Sequence, residues 1–129
     1  MLSARDIRTL LIIARMQSDD NVGNAFVGMI STQGNYFISF NGTKADIPVI
    51  TNEQLAQFEK DYDRIQFSIG MYSPPNQSGF TDKQLQKLFF DITDKMGLSG
   101  KIDLIKEKEG STSNVRRNPD GTIADPTPC

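Results

Sequence analysis

The stretch Ala25-Phe26-Val27-Gly28-Met29-Ile30-Ser31, followed by Thr32-Gln33-Gly34-Asn35 and then Tyr36-Phe37-Ile38-Ser39-Phe40-Asn41, decides the fold. Two short apolar segments joined by a small polar link predict a β-hairpin. In the first segment Phe26, Gly28 and Ile30 share one face and Ala25, Val27 and Met29 the other. Both sets are apolar or small, which reads as a central strand covered on both sides. In the second, Tyr36, Ile38 and Phe40 form an apolar face against a mixed one of Phe37, Ser39 and Asn41, the pattern of a strand nearer an edge or a cleft.

Toward the N-terminus the period changes to that of a helix, from about Ser3 to Gln17. Ser3 and Asp6 approximate a capping box, and Ile7, Leu10, Leu11 and Ala14 share one face. The run Leu10–Ile13 is too short to span a bilayer. It is flanked by Arg5, Asp6, Arg8 and Arg15, and no small-residue cleavage signature follows, so no signal segment or membrane role is expected.

Toward the C-terminus, Ile47–Ile50 lead into a second helix from about Asn52 to Asp63, with Thr51 and Gln54 as its capping box and Leu55, Phe58 and Tyr62 as its buried stripe. Arg64 to Met71 then alternates, Ile65, Phe67, Ile69 and Met71 opposing Arg64, Gln66, Ser68 and Gly70, which predicts a half-buried strand. The Pro-Pro loop Tyr72–Gly79 leads to the clearest helix. Phe80 is its staple, Thr81 and Gln84 its capping box, and Leu85, Leu88, Phe89, Ile92 and Met96 its stripe, with Gly97 and Leu98 placed to close it. A strand from Lys101 to about Lys106 follows. The reading is an α+β domain over residues 1–108, with a central mixed or antiparallel sheet of about four strands packed by three helices. Residues 109–129 have few apolar positions beyond Val115, Ile123 and Ala124. They read as a polar, mobile or partner-ordered arm or tail. The alternative is a hairpin turned at Asn118-Pro119-Asp120-Gly121 that brings the Val115 side toward Ile123.

Composition narrows the chemistry. The 129 residues include no histidine, and the one cysteine is Cys129. The usual zinc ligands, near-neutral bases and paired thiolates are therefore missing, and no cofactor or metal is expected. A single cysteine cannot close an intrachain disulfide, which favours a reducing, cytoplasmic location with signal-independent export left open. A net charge of −2 argues against a domain held to nucleic acid by a broad basic surface, though a local patch remains open. There is no Walker A loop, G-x-G-x-x-G or H-E-x-x-H motif. Asp91 and Asp94, three apart, can meet a cation on one helix face; solvated surface acids are the simpler reading.

The candidate site centres on Arg116 and Arg117, adjacent in a polar, turn-rich segment. Their guanidinium groups suit a phosphate or acidic partner, aided by Ser111, Ser113 or Asn114. Tyr72 in the Pro-Pro loop adds a candidate aromatic contact, with edge packing as its plainer task.

The order of helix, hairpin (Phe26–Ile30 and Tyr36–Phe40), later helix, strand and terminal Pro128-Cys129 resembles the scaffold of the cytidine-deaminase-like superfamily, especially divergent bacterial toxin deaminases. That resemblance implies a His or Cys beside Ala-Glu at the start of one helix and Pro-Cys-x-x-Cys at the start of a later one, holding zinc and the proton-transferring glutamate. Where the first motif would fall this chain reads Gly79-Phe80-Thr81-Asp82-Lys83-Gln84, and Pro128-Cys129 matches only the first half of the second. The resemblance thus implies an inactive or truncated relative. Two functions follow as expectations. One is a noncatalytic protein-binding or regulatory domain. The other is a His-independent toxin or effector enzyme acting on a phosphate-bearing or nucleic-acid substrate, in which Arg116 or Arg117 enters a cleft with Glu107, Glu109 or a tyrosine.

Overall fold

Three capping boxes set where the helices begin in the computed structural model, which describes residues 2–30, 34–77, 79–125 and 127–128. Helix α1 spans Ala4–Arg15; the Ser3 amide donates to Asp6 Oδ2 at 2.8 Å and Ser3 Oγ accepts from the Asp6 amide. Helix α2 spans Asn52–Met71 behind Thr51 and Gln54, and α3 spans Asp82–Lys95 behind Thr81 and Gln84. Each box satisfies amide groups that a helix start leaves without intrahelical partners. Helix α3 ends as its sequence predicts. Gly97 takes φ +74°, its amide donates to Asp94 O, and the Leu98 amide donates to Thr93 O at 2.9 Å. That is a Schellman closure, with Leu98 buried behind it.

The strands are β1 (Phe26–Met29), β2 (Asn35–Phe40), β3 (Ile102–Lys108), β4 (Ser111–Val115) and β5 (Thr127–Pro128). They form one antiparallel sheet in the order β1-β2-β3-β4-β5. The domain is therefore α+β, and its sheet is purely antiparallel with five strands. The predicted β1–β2 hairpin forms with Phe26 opposite Ser39 and Met29 opposite Tyr36; Thr32 and Gln33 of its link lie outside the described residues. Alternation on β2 places Tyr36, Ile38 and Phe40 in the core with Ile102 and Leu104 of β3. Ile7, Leu10, Leu11 and Ala14 of α1 and Phe89 and Ile92 of α3 complete that core.

Four expectations are corrected. The segment Arg64–Met71 is not a strand but the second half of α2. Its alternation coincides with a helical series, Leu55, Phe58, Tyr62, Ile65 and Ile69, and no glycine or proline interrupts the chain from Asn52 to Ile69. Phe67 and Met71, which the strand reading would bury beside Ile65 and Ile69, are 70 % and 68 % exposed.

Strand β1 is an edge strand, not a central one. Val27 and Met29 pack on the core while Phe26 is 63 % exposed, so an apolar set on each face did not mean a cover on each face. Strand β2, read as nearer an edge, lies inside the sheet between β1 and β3. Its mixed face fits this position because Phe37 and Ser39 sit on the side that carries no helix layer.

For residues 109–129 the hairpin alternative is realised over much of the segment. Strand β4 pairs with β3 from Lys108 opposite Ser111 to Leu104 opposite Val115, and Val115 joins the core. Asn118–Gly121 turn the chain, Gly121 at φ +91°, so that Arg117 bridges Ile123 and the Ala124 amide donates to Arg116 O at 2.9 Å. Cys129 lies outside the described residues. Truncation after Gly110 is expected to strip β3 of its outer neighbour and expose Leu104. Melting followed by circular dichroism should show a fall of about 10 °C or more, since a domain of this size loses roughly 3–5 °C per kcal/mol. An unchanged melting temperature would mean that β4 adds nothing to the sheet.

Candidate functional site

The candidate arginines separate into two environments. Arg117 lies against α3. Its Nη1 and Nη2 donate to the Asp94 carboxylate at 2.6 and 2.8 Å, Asp91 lies 4.0 Å away, and its guanidinium carbon sits 5.4 Å from the centre of the Phe90 ring. A bidentate carboxylate on one side and an aromatic face on the other satisfy a guanidinium's preferred contacts. The two acids three apart on α3 are ion-paired within the domain, Asp94 with Arg117 and Asp91 chiefly with Lys87 at 2.8 Å.

The same pairing shifts two titrations. The Arg117 hydrogen bond, opposed by partial burial and helped by Ser99, lowers the Asp94 carboxyl below its ordinary value of 3.8, and the Asp94 hydrogen bond raises the pKa of Arg117. Arg117 therefore pins the chain after β4 to α3 and is committed within the domain.

Arg116 is exposed, and its guanidinium makes no hydrogen bond or ion pair among the described residues. It overlooks a cleft of about 420 Å³. The cleft exists because β4 leaves β3 after Val115, whereas β3 continues beside β2 down to Ile102 opposite Phe40. The early residues of β3 thus lose a neighbour on one side. Asn41, Asp103, Asn114, Arg116 and Arg117 line the gap, together with Phe90, Thr93 and Val115.

Ser113 faces elsewhere. It stands opposite Lys106 across the β3–β4 pair and lines a smaller pocket of about 170 Å³ with Asp82, Lys83, Gln86 and Asn114. A hydroxyl beside an amine is the pattern of a lysine-activated nucleophile, which requires the neutral amine. Here Lys106 forms an ion pair with Asp82 and lies 5.8 Å over the Tyr36 ring. Burial opposes its charge, but Asp82 and Tyr36 outweigh burial and raise its pKa above the ordinary lysine value. Lys106 stays an ammonium ion, so Ser113 has no base beside it.

The catalytic partners named for the arginines are also held apart from them. Glu107 accepts from Asn35 Nδ2 at 2.7 Å and from the Gly110 amide at 3.2 Å, at the β3–β4 turn, and Glu109 lies in that turn. The Tyr36 hydroxyl is buried and accepts from Gln86 Nε2 at 3.1 Å.

Tyr72, 89 % exposed, caps α2 on another part of the surface. It lines a groove of about 460 Å³ with Ile65, Ser68 and Ile69 of α2 and Gln84, Lys87 and Asp91 of α3. The structure thus brings Asn114, Arg116 and Arg117 to one cleft and leaves Ser113 and Tyr72 in two others.

The pairing of Asp94 with Arg117, the contact with Phe90 and the Gln86–Tyr36 pair are not foreseen in the sequence. A core-facing tyrosine needs a partner for its hydroxyl, and that was the available signal for Gln86. At the place of the resemblance's first metal motif, Thr81 and Gln84 cap α3 and Asp82 pairs with Lys106. A hydroxyl and an amide already holding backbone amides, with no histidine in the chain, do not fit a zinc site. Among the described residues no group of three or more acids or cysteines is placed to hold a metal ion.

Fold and site define a small α+β domain with clefts on its surface, and among the described residues no helix is long and apolar enough to cross a membrane. No protein-family model, curated protein or solved structure matches this chain.

Replacing Arg117 with Ala is expected to cost about 0.5–1 kcal/mol at neutral pH, since the pair is part-exposed and partly screened by solvent. Because folding lowers the Asp94 pKa, the pair's contribution is complete above the ordinary value near 3.8 and fades as pH falls through the lowered one. Urea melts from about pH 7 down to about pH 2 should therefore show wild type and variant converging only at the acid end. A constant gap throughout would assign the loss to packing on Phe90 instead.

Proposed function

We propose that this chain is a noncatalytic protein-binding domain that docks through the C-terminal turns of α2. The observation that carries this reading is the exposure of Phe67, Met71 and Tyr72, at 70 %, 68 % and 89 %, within six residues at one end of a helix. Large apolar side chains clustered on a surface favour a partner over water, and Met and aromatic residues are those enriched in interfaces. Phe67 and Met71 stand one turn apart on one face of α2, and on its other face Ile65 and Ile69, with Tyr72, give a groove an apolar wall across from the charged Lys87 and Asp91. Such a groove suits one amphipathic helix of a partner, apolar on one side and charged on the other.

On this reading the deaminase resemblance is one of scaffold without chemistry, because the residues at its first motif position are occupied in capping α3. The effector-enzyme alternative is favoured by one observation, the free guanidinium of Arg116 beside a cleft. It is weakened by the commitment of Arg117 to Asp94 and by the acid Asp103 on the same walls, which repels a phosphate.

A photoreactive benzoylphenylalanine in place of Tyr72, activated in the source cell, should give a discrete adduct with a second protein. Phe67→Glu with Met71→Glu should reduce its yield by about tenfold or more, the effect of losing roughly 1.4 kcal/mol at a hot spot. Both residues are exposed, so circular dichroism of that variant should match wild type. No adduct, or the same adducts at the same yield with the variant, would overturn the reading.

A further inference from the structure

Among the described residues strand β1 ends the sheet and pairs only with β2, through Phe26–Met29. Among the described residues no hydrogen bond reaches its outer edge; the nearest, from the Ala25 amide to Val22 O, lies before the strand. Edge strands are commonly guarded by charge, proline, a bulge or a covering element, because open amides and carbonyls template further pairing. The other edge strand, β5, carries Pro128. Strand β1 has no such guard. From Ala25 to Ile30 the chain contains no charged residue, no proline and no polar side chain.

On its outward face Phe26 is 63 % and Ile30 84 % exposed. Gly28 lies between them, covered by Phe37, whose ring carbons would stand 2.8 Å from a Cβ at that position and whose ring meets Phe26 edge-on at 6.3 Å.

We infer that β1 pairs antiparallel with β1 of a second copy of this chain, across a twofold axis at Gly28, joining two five-stranded sheets into one. Two identical strands meet antiparallel about such an axis, and an isologous contact requires a surface that tolerates itself. The stretch 25–30 does so, since its lack of charge puts no like charges opposite one another. In this register Phe26 of each copy faces Ile30 of the other, a cross-strand aromatic and β-branched pair on both sides of the axis. Gly28 facing its equivalent leaves room for the two Phe37 rings. A short edge contact of this kind belongs to the small, weakly bound class of interface. The surface is separate from the α2 end, so its test is independent of the function proposed above.

Sedimentation equilibrium of the full chain should show reversible, concentration-dependent dimers of twice the 14.4 kDa chain mass. A chain carrying Phe26→Lys and Ile30→Lys, and another carrying Phe26→Glu and Ile30→Glu, should each be monomeric alone, because the register sets like charges opposite. Mixed together they should pair again. Amide hydrogen exchange of wild-type Phe26–Met29 should slow as concentration rises, which tests the contact without any variant. A wild-type monomer up to about 1 mM, a dimer that persists in the Lys chain, or exchange at β1 that does not respond to concentration would each overturn the inference.

Discussion

The pairing of β2 with β3 is the constraint on which the remaining structure rests. It joins residues as far apart as Asn35 and Glu107, and it makes one continuous apolar surface from Tyr36, Ile38, Phe40, Ile102 and Leu104. Helices α1 and α3 have faces that fit nothing else in the chain. Because the helices share one side of the sheet, the opposite side is left to a mixture of Phe26, Phe37 and Ile105 with polar neighbours. Every surface feature with functional interest follows from that asymmetry. The sheet has an uncovered side and an open edge, α2 extends beyond the body it packs against, and β4 departs from β3 early enough to leave a cleft.

Within this frame the two adjacent arginines have different tasks. Alternation along an extended segment sends neighbouring side chains to opposite sides. Both line the cleft beside β4, but Arg117 turns to Asp94 and Phe90 while Arg116 makes no hydrogen bond or ion pair among the described residues. A pair that looks like a single cationic motif in the sequence is thus one fastening and one free charge. Lys106 likewise is held by Asp82, which with Tyr36 outweighs burial and raises its pKa.

The sequence made legible whatever depended on local chemistry. Ser3, Thr51 and Thr81 with their partners at the third helical position mark the helix starts, and Gly97 with Leu98 marks the end of α3, because a cap is settled within a few residues. The hairpin and the buried faces of β2 and β3 follow from alternation. Errors arose where neighbours in space decide the outcome. Ile65, Phe67, Ile69 and Met71 satisfy a strand's period, while Ile65 and Ile69 alone also continue the helical series from Leu55, and only the absence of a glycine or proline between Asp63 and Ile69 favours the helix. Phe26 and Gly28 have the residue types of a covered face, yet no element arrives to cover them. The Arg117–Asp94 contact joins residues 23 apart whose pairing depends on how β4 leaves the sheet, which no local pattern encodes.

The long separation between β2 and β3 also sets an order of events during synthesis. When the β1–β2 hairpin leaves the ribosome, its pairing partner is more than sixty residues from being made. At about 5–20 residues per second this is a wait of roughly 3–13 s. Throughout that interval both edges of the hairpin are open, and its Tyr36, Ile38 and Phe40 face has only α1 for shelter. Helix α1, whose Ile7, Leu10, Leu11 and Ala14 share the core with that face, is made before the hairpin and is the element at hand to cover it until β3 arrives.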